Sequence, residues 1–250
     1  MHPPFVDCHS HVCPSGDDGA ATVAQGALLC AEAARRGTGI LFATPHVWPT
    51  LPLTAERERR VRAAFAELSE RAPLELRLGF ELTPSAELLR ADLRRYELEG
   101  TERVLMEVPF AGDGAIVISL GRRAEAAGLV PVIAHPERSE AAVADPGFLA
   151  RLAARGWPLQ VNASSLLGRH GLQVERIAWR LLERGEAALV ASDGHRETRP
   201  PQLDEAWTVV AARLGEDVAW PLFDGSALGL GAGATTRSRA VPSRAASRGV

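Results

Sequence analysis

Val6-Asp7-Cys8-His9-Ser10-His11 closes a short apolar run near one end of the chain. Ser192-Asp193-Gly194-His195 closes another, Ala187-Ala188-Leu189-Val190-Ala191, near the other end. Each stretch sets two ligand-type side chains two residues apart just past an extended segment. On an extended backbone, residues i and i+2 point to the same side, so each pair is able to grip one ion from one direction. What lies between must bring the two pairs together.

Working outward, short apolar runs alternate with longer helical patterns. The runs Phe5–Cys8, Gly39–Ala43, Leu74–Gly79, Glu102–Met106, Val130–Ala134, Pro158–Val161 and Ala187–Ala191 read as seven strands. Ala20–Arg36 reads as a helix, with Val23, Ala27, Leu28 and Ala31 on one face and a stop at Gly37. Thr54–Ala72 is a charged amphipathic helix with Val61, Ala64, Phe65 and Leu68 in one stripe. Ala115–Ala127, Pro146–Arg155, Leu172–Arg184 and Gln202–Leu214 complete the helical set. Strand–helix alternation predicts an α/β fold with a parallel sheet.

The chain of 250 residues is 46% hydrophobic, enough for a large core. Its basic residues are 28 Arg with no Lys, spread along the sequence, so no nucleic-acid face is expected. No apolar run approaches the ~20 residues of a membrane span. Met1-His2-Pro3-Pro4 lacks the basic, apolar pattern of a secretory leader. Three cysteines, Cys8, Cys13 and Cys30, read as reduced thiols of a cytoplasmic protein. From Gly225 to Val250 the composition turns to Gly, Ala, Ser and Arg, with Arg237, Arg239, Arg244 and Arg248 unaccompanied by acids. Residues 1–224 are therefore expected to form one domain and 225–250 a disordered tail.

The informative residues are those that follow the strands. His9 and His11 follow the first and His46 the second. Glu81 follows the third, Glu107 ends the fourth and His135 follows the fifth. Asn162 follows the sixth, and Asp193 and His195 the seventh. In a parallel barrel all these ends lie on one face, where such folds carry their chemistry. Each residue also has an ordinary explanation: a lone His at a strand end is more often a packed or surface residue, and Asp18 could simply cap the helix after it. The alternative for Asp18 is a carboxylate orienting a ligand His. Taken together, five His, two Glu and one Asp exceed the needs of one divalent ion and point to two or three with bridging groups. Imidazole and carboxylate without thiolate suit Mn, Fe or Zn. Such a centre stays positive after its three carboxylates are counted, which suits a phosphate dianion. Arg138, three residues past His135, and Arg199, four past His195, are the guanidinium candidates for phosphate oxygens.

Other chemistries fit less well. Cys30 and Arg36 have the bare spacing of a cysteine phosphatase loop, but the segment is Ala-rich, lacks Gly and sits inside a helical pattern whose amides are already bonded. Metal-dependent deaminases and amide hydrolases also carry an HxH on a first strand, yet many bridge their ions through a modified Lys, which this chain lacks. No strand–GxxxxGK loop is present, and Gly229–Gly233 lies in the tail.

The segments VDCHSH, PSGDDGA, ATPHV, GFE, MEVP, IAHPER, VNASSLLGRHG and ASDGHRETRPPQL together resemble the PHP (polymerase and histidinol phosphatase) superfamily, from about Val6 to Leu203. Within it the chain is similar to the bacterial manganese-dependent protein tyrosine phosphatases of capsule and exopolysaccharide operons. HPER and SDGH…RPP are the most specific pieces. The resemblance implies a distorted seven-stranded barrel with a trinuclear site. It implies that His9, His11, His46, Glu81, Glu107, His135, Asp193 and His195 bind the metals and that Arg138 and Arg199 hold the phosphate. In such enzymes a metal-bound hydroxide attacks phosphorus directly. The implied substrate is a phosphotyrosine protein, the tyrosine-rich tail of a kinase controlling polysaccharide export, and the implied assembly a ring-like homo-oligomer. A small-molecule phosphatase, such as one for histidinol phosphate, and a non-catalytic metal-stabilised scaffold are the alternatives. Val47 departs from the family, where a second His commonly follows. On this reading His135→Ala abolishes phosphomonoester turnover; an unchanged rate in a steady-state assay would remove His135 from the site.

Overall fold

A computed structural model describes residues 3–112, 114–145 and 147–230. Its strands are β1 (Phe5–Ser10), β2 (Thr38–Ala43), β3 (His46–Val47), β4 (Glu75–Leu78), β5 (Glu81–Leu82), β6 (Glu97–Leu98), β7 (Arg103–Glu107), β8 (Val130–Ala134), β9 (Leu159–Asn162) and β10 (Ala187–Ala191). Its helices are α1 (Val23–Arg35), α2 (Ala55–Arg71), α3 (Ala115–Ala126), α4 (Glu140–Ala144), α5 (Phe148–Ala153), α6 (Ala163–Leu166), α7 (Leu172–Glu183), α8 (Asp204–Leu214) and α9 (Glu216–Ala219). All seven expected strands are present, within a residue or two at each end. The short pieces β3, β5 and β6 and the helices α4, α6 and α9 are additions.

The strands pair in two sheets, one in the order β1-β2-β4 and one in the order β10-β9-β8-β7-β5-β3, with β6 antiparallel on β7. Every other ladder is parallel. The division has a local cause. Thr44-Pro45 interrupts β2 before β3, and Gly79-Phe80 interrupts β4 before β5, so each strand passes from one sheet to the other. Proline cannot donate to a ladder, which fixes the first break. Near their C-terminal ends β1 and β10 approach again: Ser10 and Gly194 form an isolated parallel bridge, the Asp193 N–H donates to His9 O at 3.0 Å, and the His11 N–H to Gly194 O at 2.7 Å.

Two apolar clusters fill the sheet faces. Leu41, Val104, Met106, Ile133, Val161 and Val190 belong to the one packed against the helices. Phe42, Leu105, Val132, Ala134, Leu189 and Ala191 alternate with them and form the second. Alternation of period two continues past the strands, so Glu107 follows the parity of Leu105, and Asp193 that of Ala191. The site is thus an extension of the second cluster. Leu228 is buried in that same cluster, on a 3₁₀ turn at Ser226–Leu228. Leu228 is thus a core residue inside the segment expected as a tail, an apolar side chain that the composition of the segment conceals; the rest of that segment, 231–250, lies outside the described residues, as does His2.

Capping sets the helix starts. Thr22 accepts the Gln25 N–H and so begins α1; Thr54 accepts the Arg57 N–H, with Glu56 and Glu58 favourably placed in the first turn of α2. Asp18 caps neither helix, contrary to one expectation. No helix among the described residues is long and apolar enough to cross a membrane. Cys8, Cys13 and Cys30 are buried free thiols, Cys30 within α1. Packing of α3 on its neighbours leaves no room at Gly121, where an added Cβ would come within 2.2 Å of the Trp157 ring. Gly121→Ala should therefore destabilise the fold by about 1–3 kcal/mol, seen as a melting temperature lower by several degrees in circular dichroism.

Candidate metal centre and its rim

The chain turns sharply at two of the residues clustered here. His135 has φ 31° and Asp193 φ 52°, two of the three non-glycine residues with positive φ among those described. His135 follows β8 directly, and Asp193 follows β10 after one residue. Left-handed backbone at residues other than glycine costs energy, and such strain collects at functional positions.

His9 and His11 meet two carboxylates, those of Glu81 and Asp193, and with Asp193 they make one candidate metal group. His9 Nε2 lies 3.1 Å from His11 Nε2, 3.2 Å from Glu81 Oε2 and 3.5 Å from Asp193 Oδ1. His11 Nε2 lies 3.4 Å from Glu81 Oε2 and 3.5 Å from Asp193 Oδ1. Ligands held at ~2.0–2.2 Å from one ion stand roughly 3.0–3.5 Å apart, so this spacing fits a shared metal. A second group comprises His9, Glu81 and His135, with Glu81 Oε1 at 2.9 Å from His135 Nε2. A third comprises His11, Asp18, His46 and His195; Asp18 Oδ1 is 3.4 Å from Nε2 of both His46 and His195. Buried polar atoms without a hydrogen bond include His11 Nδ1, His46 Nδ1, Glu81 Oε2 and His135 Nδ1. Buried polar atoms are ordinarily paired, and a divalent ion in imidazole–carboxylate surroundings would satisfy such atoms. Glu107 lies on the wall of the same cavity and accepts a hydrogen bond from the Thr83 hydroxyl.

Electrostatics follow this geometry. Burial opposes charge on Glu81, but His9, His46, His11 and His135 hold its carboxyl well below the usual range. Asp193 is likewise held low against burial by His9, His11, His135 and Arg199. Burial draws His46 down, yet the Glu81 charge together with hydrogen bonds to Asp18 and Glu81 outweighs it and lifts the imidazole to about 9. His195 goes the other way, to about 4, through burial and the charge of His11. Glu107 is raised by burial and by Glu81.

The two arginines converge on Asp193. Arg138, on a 3₁₀ turn at Pro136–Arg138, donates from Nη1 to Asp193 Oδ2 at 3.1 Å. Arg199 Nη2 touches His195 Nδ1 and lies 3.7 Å from Asp193 Oδ1. Both line a cavity of about 410 Å³ together with Asp18, Glu107, His135 and His195.

Asp17 and Asp18 make different contacts. Asp17 Oδ2 accepts the His46 N–H at 3.0 Å and lies 3.6 Å from His11 Nδ1. Asp18 groups with the imidazoles of His11, His46 and His195. The loop is forced close, since a Cβ at Gly19 would lie 2.3 Å from His11 O. His170, remote from any strand end in sequence, bonds Ser164 Oγ at 2.8 Å and lines a neighbouring cavity with Arg199.

Gln160 and Arg57 escape a reading of strand ends, which reaches only Asn162 among the supporting residues. Gln160 Oε1 lies 3.0 Å from His9 Nδ1, its Nε2 donates to Asn162 Oδ1 at 2.8 Å, and Asn162 Nδ2 donates to Asp193 Oδ2 at 2.8 Å. This relay joins His9 to Asp193 and fixes ring and carboxylate orientation. The signal was the polar pair at i and i+2 inside an otherwise apolar strand. Arg57 is 3% exposed and donates to His46 O, Leu51 O, Ser15 O and Ser15 Oγ. In the run Glu56-Arg57-Glu58-Arg59-Arg60 nothing distinguishes it from its solvated neighbours.

Residues 5–227 match the sequence model of the family described as capsular polysaccharide synthesis, CpsB/CapC. The tyrosine-protein phosphatase YwqE of Bacillus subtilis is 31% identical over 232 residues, 90% of this chain and 91% of that one. A solved structure of YwqE from Bacillus subtilis and CpsB from Streptococcus pneumoniae, described as metal-dependent tyrosine phosphatases, superposes with TM-score 0.79 at 30% identity, covering 87% of this chain and 91% of that one. An organophosphorus hydrolase mutant from Deinococcus radiodurans shares the fold at TM-score 0.59 and 12% identity, covering 90% and 92%.

Arg57→Met should leave buried carbonyls unpaired, at about 1–3 kcal/mol each, and release the Ser15–Asp18 and His46 segments. Bound metal per chain, measured by elemental analysis, should fall; an unchanged metal content would confine Arg57 to a folding role.

Proposed function

The chain belongs to the CpsB/CapC family of capsular polysaccharide synthesis, and from that membership we propose that it is a metal-dependent protein-tyrosine phosphatase. The observation that carries the proposal is the convergence of imidazole, carboxylate and two guanidinium groups on one cavity. Divalent ions bound there supply Lewis acidity and lower the pKa of water. Two to three ions fit the number of donors, and Mn, with Fe or Zn as substitutes, fits their kind.

The chain's own residues do the rest. Arg138 and Arg199 offer paired donors to phosphoryl oxygens. Asp193 tethers both guanidinium groups and so sets where a dianion is held. Glu81, with no exposed surface, bridges the imidazoles of the first and second groups. Gln160 and Asn162 keep His9 and Asp193 aligned. Asp17 orients His11 and the His46 segment, while Asp18 joins His46 and His195 as a ligand. We read the two sheets as one distorted seven-stranded barrel, supported by the Ser10–Gly194 bridge. The substrate would be a phosphotyrosine protein, the tail of a polysaccharide-export kinase, met in the cytoplasm, where the buried thiols stay reduced. A homo-oligomeric assembly and a tail beyond the described residues complete the proposal.

Turnover of an aryl phosphate with added Mn²⁺ tests it. A chelator should abolish the rate and orthovanadate barely change it. A phosphotyrosine peptide should be preferred to histidinol phosphate; the reverse preference would make the enzyme a small-molecule phosphatase, and no turnover with any divalent ion would leave a scaffold. Arg138→Ala should raise KM roughly tenfold or more, as expected for losing a hydrogen bond between charged groups. An unaltered KM would count against its role.

A further inference from the structure

Two aromatic side chains on this cavity have no part in the chemistry above. Trp48 and Phe110 both line it. Trp48 stacks on His46 at a centroid distance of 4.4 Å, and Phe110 on His135 at 5.9 Å with the planes 12° apart. Between them the rings follow one another without a break: His135 to His9 at 5.4 Å, His9 to His11 at 5.2 Å, His11 to His46 at 4.1 Å. Trp48 and Phe110 therefore end the row of imidazoles, one at each side. We propose that Trp48 and Phe110 form the walls of a slot for the ring of an aryl phosphate monoester, and thereby select aryl over alkyl esters at this site.

The inference rests on the phosphatase reading and adds the residues that choose the leaving group. Phe110 is 49% exposed, and among the described residues it is the one exposed aromatic. A phenyl ring left in water forgoes the stabilisation of burial, so its place on a polar rim calls for a ligand to cover it. Supporting the imidazoles would account for the stacking, not for the exposure. Both rings are also held in position. Trp48 sits in a bridged turn with Leu51, whose carbonyl Arg57 binds at 2.9 Å. Phe110 O accepts the Glu140 N–H at 2.9 Å. The Arg138 guanidinium lies 4.8 Å from the Phe110 ring centroid, joining the phosphate end of the cavity to its aromatic wall. An aryl ester carries its ring one oxygen away from phosphorus, so a phosphate held by Arg138 brings that ring to Phe110. Aromatic pairs in offset or tilted stacking gain stabilisation beyond the area they bury.

The test compares phenyl phosphate with an alkyl phosphate of similar size, on the Mn²⁺-loaded full chain and on Trp48→Leu, Phe110→Leu and the double variant. Each single substitution should lower the aryl-to-alkyl ratio of kcat/KM roughly three- to tenfold, and the double variant more. Trp48→Phe should restore most of the ratio. Binding of phenylphosphonate and methylphosphonate, by calorimetry, provides a reading that needs no turnover: the wild type should favour the phenyl compound and the double variant lose that preference. Equal losses for aryl and alkyl esters, or phosphonate preferences that the double variant retains, would overturn the slot. Absence of hydrolysis of either ester with any divalent ion would sink the phosphatase reading instead, and the phosphonate affinities would still decide the slot.

Discussion

Glu81 has no exposed surface, and its carboxylate oxygens lie within 3.5 Å of four imidazoles: His9, His11, His46 and His135. A buried carboxylate without compensation is costly, and removing a partner from a buried charge is costlier still than forming the pair was favourable. The surrounding structure therefore has to deliver positive charge to one point from three separate strand ends. Parallel pairing does this, since it sets His46 opposite Glu81 on β3 and β5 and aligns Glu81 with Leu105 on β7. The breaks at Thr44-Pro45 and Gly79-Phe80, which divide the sheets, are also what turns His46 and Glu81 toward the centre.

Around that hub, neighbouring groups meet the further requirements. Burial concentrates the field of the site: the same Glu81 that is held ionised lifts His46 and raises Glu107. Asp193 serves both as a ligand candidate and as the anchor for Arg138 and Arg199, so the position of the two guanidinium groups is tied to that of the clustered imidazoles. The Gln160–Asn162 relay extends this coupling beneath the site to His9. On the other side Arg57 pins the backbone of His46 and of the Ser15 loop, which makes a helix that looks solvent-facing part of the support of the centre. The rim is divided between charge and aromatic surface, and the contact of Arg138 with Phe110 is where the two meet.

Much of this was legible before any fold was known. The seven strands declare themselves by apolar runs, and the position of a His or acid after nearly every run follows from local pattern alone. Asp17-Asp18-Gly19 is less transparent, because two adjacent acids cannot be told apart locally. Which of them meets His46 Nε2 and His195 Nε2 depends on how tightly Gly19 packs against His11. The burial of Leu228 is hidden for a similar reason, since that residue becomes part of a core only through strands far away in sequence.

The chain by itself therefore determined the strand–helix alternation, the kinds of donor atom and their placement at strand ends, because these depend on neighbours two to four residues apart. Tertiary structure decided the rest: that Arg57 is buried, that Gln160 supports His9 across 151 positions, and that Trp48 and Phe110 share one cavity. Those facts depend on distances between residues remote in sequence, which packing alone fixes and no local pattern encodes.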